Sequence, residues 1–349
     1  MTGIYQEYSA EAEIASFFTK TSTTRSACEA RARELVGGSV VPVKVQGCCS
    51  YSVYAGAGLE FVVQFRLKSL KLNIETATLA NKVYGVLAPS VSFEGQIGQE
   101  SDGKEPVYTY LMSRVSGMTH LDFILAHGHP ENSPEMCAWR SNLLADVARF
   151  FALSWKTPQA VTLGYLEDLG RRYTEELRLL LSALPIRFHS IIQKCINSMD
   201  AILSLPIVLL HRDFGTCNLM VDKISCHLVG VIDWAEADIC PFGLNLHSVQ
   251  GLMAKLHLRD GWTRYEDYAI LEDAFWKTFE QEVGGITEDR LESIKLARIT
   301  GLLLSRGFTS RLANEPRPVP IGNNERGHYN MMFLDGFLIN PATRFEDLK

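Results

Sequence analysis

The spacing of apolar residues divides the first third of the chain into helical and extended parts. Residues 4–35 carry apolar positions at helical spacing, and Gly37-Gly38 stops that pattern. From Val40, segments rich in Val, Phe and Tyr alternate with glycines, which predicts a small antiparallel sheet. One helix over Leu70–Leu87 interrupts the sheet. We expect its buried stripe to consist of Leu72, Leu79, Val83 and Val86.

After Gly117 the pattern is mainly helical. Two short apolar runs, Ile207–Leu210 and Leu228–Ile232, break it and predict buried strands. The apolar tail over residues 329–339 is expected to pack back onto the body. The predicted helices cover residues 119–126, 136–156, 166–184, 187–203, 244–256, 265–283 and 288–312.

This order of elements predicts an α+β fold in two parts. A sheet-rich segment of about a hundred residues comes first, and a helical body interrupted by one hairpin follows. We place the boundary after residue 114, so that residues 1–114 form one domain and residues 115–349 the other.

Composition and charge exclude several classes of protein. With 46% hydrophobic and 21% charged residues, the 349-residue chain can bury a large core. The net charge is −6 and no block of five basic residues occurs, so we expect neither a nucleic-acid nor a membrane partner. No run approaches the roughly 20 apolar residues of a membrane span. We therefore expect a cytoplasmic protein that acts on a small molecule, and the sequence leaves its oligomeric state open.

The candidate chemistry lies between the two apolar runs. His211-Arg212-Asp213 followed by Asn218 fits H-R-D-x-x-x-x-N, in which the Asp accepts a substrate proton and the Asn holds a metal ion. Asp233 follows Asn218 by fifteen positions, so a hairpin through residues 222–225 would bring the two side by side. Two oxygen ligands together with nucleotide phosphates suit Mg²⁺. The alternative is that these residues only form turns between buried strands.

With Asp233-Trp234 in this place, the segment resembles the aminoglycoside phosphotransferase and choline kinase branch of the protein-kinase-like fold. The segment IDWAEADICPFG is most similar to the corresponding segment of fungal proteins with an aminoglycoside-phosphotransferase domain. The resemblance implies a two-lobed fold with ATP and Mg²⁺ as cofactors. It implies that Asp213 is the catalytic residue, that His211 braces its loop, and that Asn218 and Asp233 bind the metal.

The residues expected to bind nucleotide depart from the sequence pattern of the family. Aligning β-strand residues Phe61–Val63 with V-A-I-K puts Gln64 in the place of the phosphate-binding Lys, whereas Arg66 is the charged residue on the same strand face. Both remain candidates. By the resemblance, Glu75 orients the side chain that binds the phosphates. A Glu in the first turn of a helix also interacts favourably with the helix dipole, which would need no function.

Two further segments take nucleotide roles from the resemblance. The turn QGCCSYS, with Ser50, lies where the family places its nucleotide-covering loop, and an ordinary hairpin turn is an equal alternative. The hinge that binds the adenine edge would be Met112, Ser113 and Arg114.

The sequence therefore predicts a kinase that phosphorylates a hydroxyl group of a small metabolite, with a fungal natural-product intermediate as one candidate. Glu236 and Asp238 are candidates for binding a cationic acceptor, and surface carboxylates explain them equally well. Two alternatives stay open: a pseudokinase that only binds nucleotide, and an enzyme of the same fold that performs a different reaction.

Overall fold

The computed structural model describes residues 8–101, 103–322 and 324–348. Residues 4–7, the start of the first predicted helical segment, lie outside this part. Contacts between residues divide the chain into two compact units. The first unit comprises the described residues of Met1–Asn81, Pro89–Val115 and Leu312–Glu315, and the second those of Lys82–Ala88, Ser116–Arg311 and Pro316–Lys349.

The first unit is built on a five-stranded antiparallel sheet with the strand order β1-β2-β3-β5-β4. Its apolar core lies between the sheet and the first two helices, and Phe17, Cys28, Tyr51 and Phe65 are almost completely buried there. The elements, in chain order, are α1 Ala10–Thr19, α2 Arg25–Val36, β1 Ser39–Pro42, β2 Ser50–Gly56, β3 Phe61–Leu67, α3 Ile74–Tyr84, β4 Val91–Ile97 and β5 Val107–Ser113.

The first predicted helical segment consists of two helices. The Thr24 side chain accepts a hydrogen bond from the Ala27 N–H and so begins α2. Gly37, with a φ of 68°, ends α2 as expected. A run of four Ser and Thr residues, 21–24, separates the helices because these side chains favour capping over helix interiors.

The expected burial of Val86 is wrong. Helix α3 ends at Tyr84, and Gly85, with a φ of 59°, turns the chain into a short 3₁₀ segment. Val86 is 91% exposed as a result, whereas Leu72 and Val83 are buried as predicted. Tyr84 belongs to the second unit, where its hydroxyl donates to the Leu209 carbonyl over 2.7 Å.

The second unit is mainly helical and contains three small sheets. Strands β6, β8 and β9 form one sheet, β7 pairs with β10, and β11 pairs with β12, all antiparallel. The elements are β6 Met118–Thr119, α4 His120–Ala126, α5 Pro134–Lys156, α6 Leu163–Ala183, α7 His189–Asn197, α8 Met199–Leu203, β7 Ile207–Leu210, β8 Leu219–Val221, β9 Leu228–Val231, β10 Asp238–Pro241, α9 Gln250–Met253, β11 Ala254–His257, β12 Gly261–Arg264, α10 Tyr268–Val283, α11 Glu288–Arg306 and α12 Glu325–Leu334.

The predicted helix over residues 244–256 is correct only for residues 246–253. These form a 3₁₀ turn followed by the four-residue α9, and from Ala254 the chain is instead strand β11, which pairs with β12. Asp260-Gly261, where Gly261 has a φ of 80°, turns the chain between the two strands. The polar and apolar alternation of β11 and β12 suits this hairpin better than a helix.

The apolar tail packs onto the second unit, as predicted. Met331, Leu334, Phe337 and Leu338 are buried, and the Trp262 ring lies 4.7 Å from that of Phe337 between ring centroids. No helix in the described part of the chain combines the length and the hydropathy needed to cross a membrane.

Candidate active site

The loop of residues 211–218 joins two buried strands, β7 and β8. Strand β7 is buried at all four positions and pairs with β10, so its end is fixed within the second unit. Strands β8 and β9 form the predicted hairpin, in which Leu219 lies opposite Val231. The polar residues of the motif therefore stand at the ends of three buried strands.

Asn218 connects the loop to both of its ends. Its Nδ2 donates to the Asp213 carbonyl over 2.8 Å and to Asp213 Oδ2 over 2.9 Å. Its own carbonyl accepts a hydrogen bond from the Ile232 N–H over 2.9 Å, which places Asp233 next to Asn218 across the hairpin. Asp213 and Asp233 are both exposed, so their carboxylates are accessible to ligands.

His211 ties the start of the loop to the same place. Its ring Nε2 lies 2.9 Å from the Ile232 carbonyl and must donate to it, because a carbonyl oxygen only accepts. Burial lowers the pKa of the His211 imidazole, and the Ile232 carbonyl and the Asp233 and Asp213 carboxylates partly offset that effect. The ring is therefore a neutral structural contact at neutral pH, away from bulk solvent.

Asp233 adopts a left-handed backbone conformation with φ 60° and ψ 67°. Residues other than glycine rarely do so, although Asp and Asn tolerate it best. The following Trp234 fixes this turn, since it is buried against Tyr84 and donates from Nε1 to the Val231 carbonyl over 2.8 Å. The carboxylate of Asp233 thus projects from a rigid position.

Helix α5 holds the far end of the hairpin. Asp146 Oδ2 accepts from the Leu228 N–H over 3.1 Å, and Asn142 Nδ2 donates to the Ser225 carbonyl over 2.9 Å. Asp222 Oδ1 closes the turn by accepting from the N–H groups of Ile224 and Ser225. The hairpin is therefore fixed at both ends.

In the first unit, the predicted phosphate-binding residues share one face of the sheet. Ser50 lies opposite Arg66 and Ser52 lies opposite Gln64, and directly opposed residues point to the same side. Gln64 Nε2 donates to Ser52 Oγ over 3.3 Å. Arg66 is buried, and its Nε donates to the Leu70 carbonyl over 2.8 Å while NH1 lies 3.4 Å from Gln64 Oε1.

Glu75 does not orient Arg66. It is exposed in the first turn of α3, and the described residues of the first unit show no ion pair between the two side chains. Its N–H donates to the Asn73 side chain over 3.1 Å. The Leu70 carbonyl, a main-chain group, takes the place that the prediction gave to Glu75.

The predicted hinge residues already use several main-chain groups within the first unit. The Ser113 N–H donates to the Ser90 carbonyl over 3.1 Å, and the Arg114 N–H donates to the Glu60 carbonyl over 3.0 Å. The guanidinium of Arg114 stacks on the Tyr54 ring at 3.9 Å, and Met112 pairs with β3. A nucleotide base at this segment would therefore have to use other main-chain groups.

Glu236 and Asp238 differ in their surroundings. Glu236 is exposed at the end of the turn after Trp234. Asp238 Oδ2 lies 3.6 Å from Arg212 NH1 and 3.8 Å from Arg172 NH2. The charge of Asp238 is thus shared between two guanidinium groups.

A family model described as the phosphotransferase enzyme family matches residues 51–250, more than half of the chain. The chain belongs to this phosphotransferase family. The match contains the whole 211–218 loop and its hairpin, as well as Arg66 and Gln64. The protein is therefore an enzyme, a phosphotransferase, as the motif predicted. A search of curated proteins gives no significant match.

Several solved structures of phosphotransferases are similar to this protein. A protein assigned as an aminoglycoside phosphotransferase from Ralstonia eutropha JMP134 is 18% identical with a TM-score of 0.53, and the match covers 89% of this chain and 97% of that one. A macrolide 2′-phosphotransferase from Brachybacterium faecium is 11% identical with a TM-score of 0.47, covering 80% and 90%. The predicted α+β, protein-kinase-like fold is confirmed.

The donor set of this phosphotransferase fits a magnesium ion that is shared with a nucleotide. Asn218 Nδ2 donates to Asp213, and Asn218 Oδ1 accepts no hydrogen bond from the described residues. Asp233 adds an exposed carboxylate beside it. Among the described residues, no group of three or more His, Cys, Asp or Glu side chains could enclose a metal. Two protein oxygens with phosphates and water completing the shell is the arrangement that Mg²⁺ favours.

One residue near the site, Asn245, belongs to no motif and was missed. Asn245 is buried, and its Nδ2 donates to the His211 carbonyl over 3.0 Å, so it fixes the start of the catalytic loop. Its polar side chain within the apolar stretch PFGLNL was the available signal.

Proposed function

We propose that this phosphotransferase transfers the γ-phosphoryl group of ATP to a hydroxyl group of a small metabolite, in a magnesium-dependent reaction. The observation that carries the proposal is the two-point contact of Asn218 with Asp213, together with the Ile232–Asn218 hydrogen bond that sets Asp233 beside them. In this proposal the base and the two oxygen ligands are held together by the 211–218 loop and the β8–β9 hairpin that follows it.

Asp213 acts as the base for the acceptor. It accepts the hydroxyl proton while the acceptor oxygen bonds to the γ-phosphorus, and the bond from that phosphorus to the bridging oxygen breaks to release ADP. The Asn218 amide holds one oxygen of the Asp213 carboxylate, so the other oxygen is directed at the acceptor. His211 and Asn245 contribute by positioning the loop.

Asn218 Oδ1 and the Asp233 carboxylate would hold the magnesium ion. When bound, Mg²⁺ neutralises charge on the phosphate oxygens during transfer. The left-handed backbone of Asp233 and its anchored neighbour Trp234 fix the direction of the carboxylate before any ligand arrives.

Residues 1–114 supply the nucleotide contacts and residues 115–349 the chemistry. In the first part, Arg66 is the cation that binds the phosphates, with Gln64 and Ser50 on the same sheet face. Its Nε is held by the Leu70 carbonyl, so the terminal nitrogens are the ones left for phosphate. In this assignment, Met112 to Arg114 form the segment nearest the adenine ring of the nucleotide.

A thermal-shift titration with ATP and GTP, with and without Mg²⁺, followed by a screen for phosphate transfer to small alcohols tests this function. Stabilisation by ATP that requires Mg²⁺, together with ADP release that depends on an acceptor, is the expected result. Nucleotide binding without transfer to any acceptor would instead favour a pseudokinase. Absence of nucleotide binding would favour a different reaction on the same fold.

A further inference from the structure

Two adjacent cysteines lie at the tip of the turn that precedes β2. The chain has eight cysteines, and Cys48 and Cys49 are the two that are neighbours in the sequence. Their sulfur atoms lie 3.6 Å apart. Cys48 is exposed, whereas Cys49 is half-buried and packs against the apolar core of the first unit. One thiol of the pair is therefore accessible to reagents in solution, and the second lies in contact with it.

The turn is fixed at its base and loosely closed at its tip. Gln46 is buried, and its Nε2 donates to the Val43 and Ser52 carbonyls over 3.0 and 2.9 Å. Its Oε1 accepts from the Ser52 N–H over 2.9 Å. At the tip, the Ser50 N–H lies 3.5 Å from the Gly47 carbonyl, which is longer than an ordinary hydrogen bond. The backbone of the tip can therefore change while Gln46 keeps the base of the turn in place.

A disulfide between these two residues would be strained and easily reduced. Neighbouring Cα atoms are about 3.8 Å apart, whereas the Cα atoms of ordinary disulfides are about 4.4–6.8 Å apart. The bond would close a small ring that contains the peptide bond between Cys48 and Cys49. Strained or exposed disulfides have more oxidising potentials than structural ones, and so form and break reversibly. The pair therefore fits a switch better than a permanent cross-link.

Ring closure would act on the backbone immediately before Ser50. Ser50 is the first residue of β2 and lies opposite Arg66, on the sheet face assigned to the nucleotide phosphates. The ring would change the dihedral angles at Cys48 and Cys49 and so redirect the N–H groups of Cys49 and Ser50. Main-chain N–H groups of such turns bind phosphate oxygens. Oxidation of the pair should therefore lower the affinity for nucleotide.

We propose that Cys48 and Cys49 form a site of reversible thiol–disulfide oxidation, at which low-molecular-weight disulfides oxidise the pair and thereby weaken nucleotide binding. The effect on nucleotide binding rests on the proposed function, whereas the oxidation itself does not. The Cys48 thiolate attacks one sulfur of the reagent, whose S–S bond breaks and releases one thiolate. The Cys49 thiolate then attacks Cys48 Sγ and releases the second. The pair loses two electrons and two protons, and the reagent is reduced to two thiols.

The other cysteines can be distinguished from this pair. Burial raises the pKa of four thiols to about 11 or 12, so that they stay protonated at neutral pH, and these belong to Cys28, Cys195, Cys226 and Cys240. Cys217 is exposed and Cys137 is half-buried, both in the second unit. A reagent attached to either of these adds its mass to the protein, whereas closure of the Cys48–Cys49 bond removes two hydrogens.

Intact-mass measurement and peptide mapping after incubation with glutathione disulfide test the site. We expect the unmodified protein to lose two hydrogens within the peptide that contains Cys48 and Cys49, and dithiothreitol to restore them. Cys49→Ser should stop at a mixed disulfide, with one glutathione attached to Cys48, and Cys48→Ser should form no internal bond. Cys137→Ser, in α5, keeps the pair and is the control. A mixed disulfide without the internal bond in the unmodified protein overturns the proposal.

Calorimetric titration with Mg·ADP before and after the oxidation tests its consequence. Oxidation should raise the Kd of the unmodified protein and of Cys137→Ser roughly 10- to 100-fold, as loss of a hydrogen bond to a charged group does. In Cys48→Ser, the same treatment should leave the Kd at the value of the untreated variant. An internal disulfide that forms without changing the Kd overturns the switch. An equal rise of the Kd in Cys48→Ser assigns the effect to another thiol, such as Cys217, and overturns it too.

Failure of the proposed function gives a different result. If the reduced protein binds no nucleotide, the proposed function fails together with the effect on nucleotide affinity, and the mass measurement still decides whether Cys48 and Cys49 form a disulfide. If the reduced protein binds Mg·ADP but the internal disulfide does not form, the redox site is overturned while nucleotide binding stands.

Discussion

Asn218 donates to Asp213 twice from a single amide nitrogen, to the main-chain carbonyl at 2.8 Å and to the carboxylate at 2.9 Å. The residue proposed to bind the metal therefore also orients the proposed base. Because Nδ2 is committed to Asp213, only Oδ1 is available for a cation. Metal binding and orientation of the base are therefore coupled through the Asn218 side chain.

Asp213→Asn should lower kcat by about 10²- to 10⁴-fold, the usual contribution of a general base, and leave nucleotide affinity within a few-fold. The amide keeps the size of the carboxylate and loses its basicity. Turnover with saturating ATP and acceptor measures the effect, and Asp273→Asn on the exposed side of α10 is the control. A near-normal kcat would remove Asp213 from the role of base.

Asp233→Ala, Asp233→Asn and Asp233→Gly should each abolish the magnesium dependence of ATP binding, since each removes the carboxylate ligand. Only the Ala variant combines this loss with strain at a φ of 60°, which costs about 1 kcal/mol. The Gly variant, which relieves that strain, should unfold at the same urea concentration as the unmodified enzyme or at a higher one. Calorimetry that finds unchanged Mg·ATP affinity in all three would contradict the assignment of Asp233 as a ligand.

Arg66→Ala should weaken ATP binding more than Gln64→Ala does, with partial rescue in Arg66→Lys. Arg66 carries the charge, and Gln64 supplies only a long contact to it. Glu75→Gln should change ATP affinity by no more than about twofold, because exposed charges without a partner contribute little. Nucleotide titrations of the four variants decide the point, and a loss confined to Gln64→Ala would assign the phosphates to Gln64.

Gly301→Ala should destabilise the fold by at least about 2 kcal/mol, the typical cost of overpacking a rigid core. An added Cβ would lie impossibly close to the Leu244 carbonyl oxygen, a main-chain atom next to Asn245. Activity should fall with stability, because Asn245 positions the catalytic loop. The control is Gly164→Ala in α6, where an added Cβ meets no atom, and urea unfolding of both compares them.

Acid should destabilise this enzyme below pH 6.5 partly through His120. Burial lowers the pKa of His120 to about 4 from an ordinary 6.5, so between these values the unfolded chain binds a proton that the folded chain does not. The stability due to neutral His120 is complete above pH 6.5 and is lost as the pH falls towards 4, at about 1.4 kcal/mol per pH unit. His120→Leu should reduce this slope, measured by urea unfolding between pH 7 and 5. His328→Leu, an exposed position, should not.

Much of the catalytic loop could be predicted because its contacts are local in sequence. The H-R-D-x-x-x-x-N spacing, the turn residues and the two apolar runs together specify the hairpin that joins Asn218 to Ile232. The helix caps at Ser133 and Thr287 likewise follow from side chains within a few residues.

The errors arose where local signals competed. The helix predicted over residues 244–256 extends too far, because pairing with β12 across the Asp260-Gly261 turn makes residues 254–257 a strand. At Val86 the helical stripe extended beyond the point where Gly85 ends α3.

The sequence by itself determined the fold class, the phosphotransferase motif and the hairpin that presents it, because periodicity, turn chemistry and motif spacing act over short stretches of chain. Only the tertiary structure decided that the Leu70 carbonyl, and not Glu75, holds Arg66, and that Asn245 reaches the His211 carbonyl. Such contacts depend on how whole elements pack against each other, and no local pattern in the sequence encodes which residues are brought together.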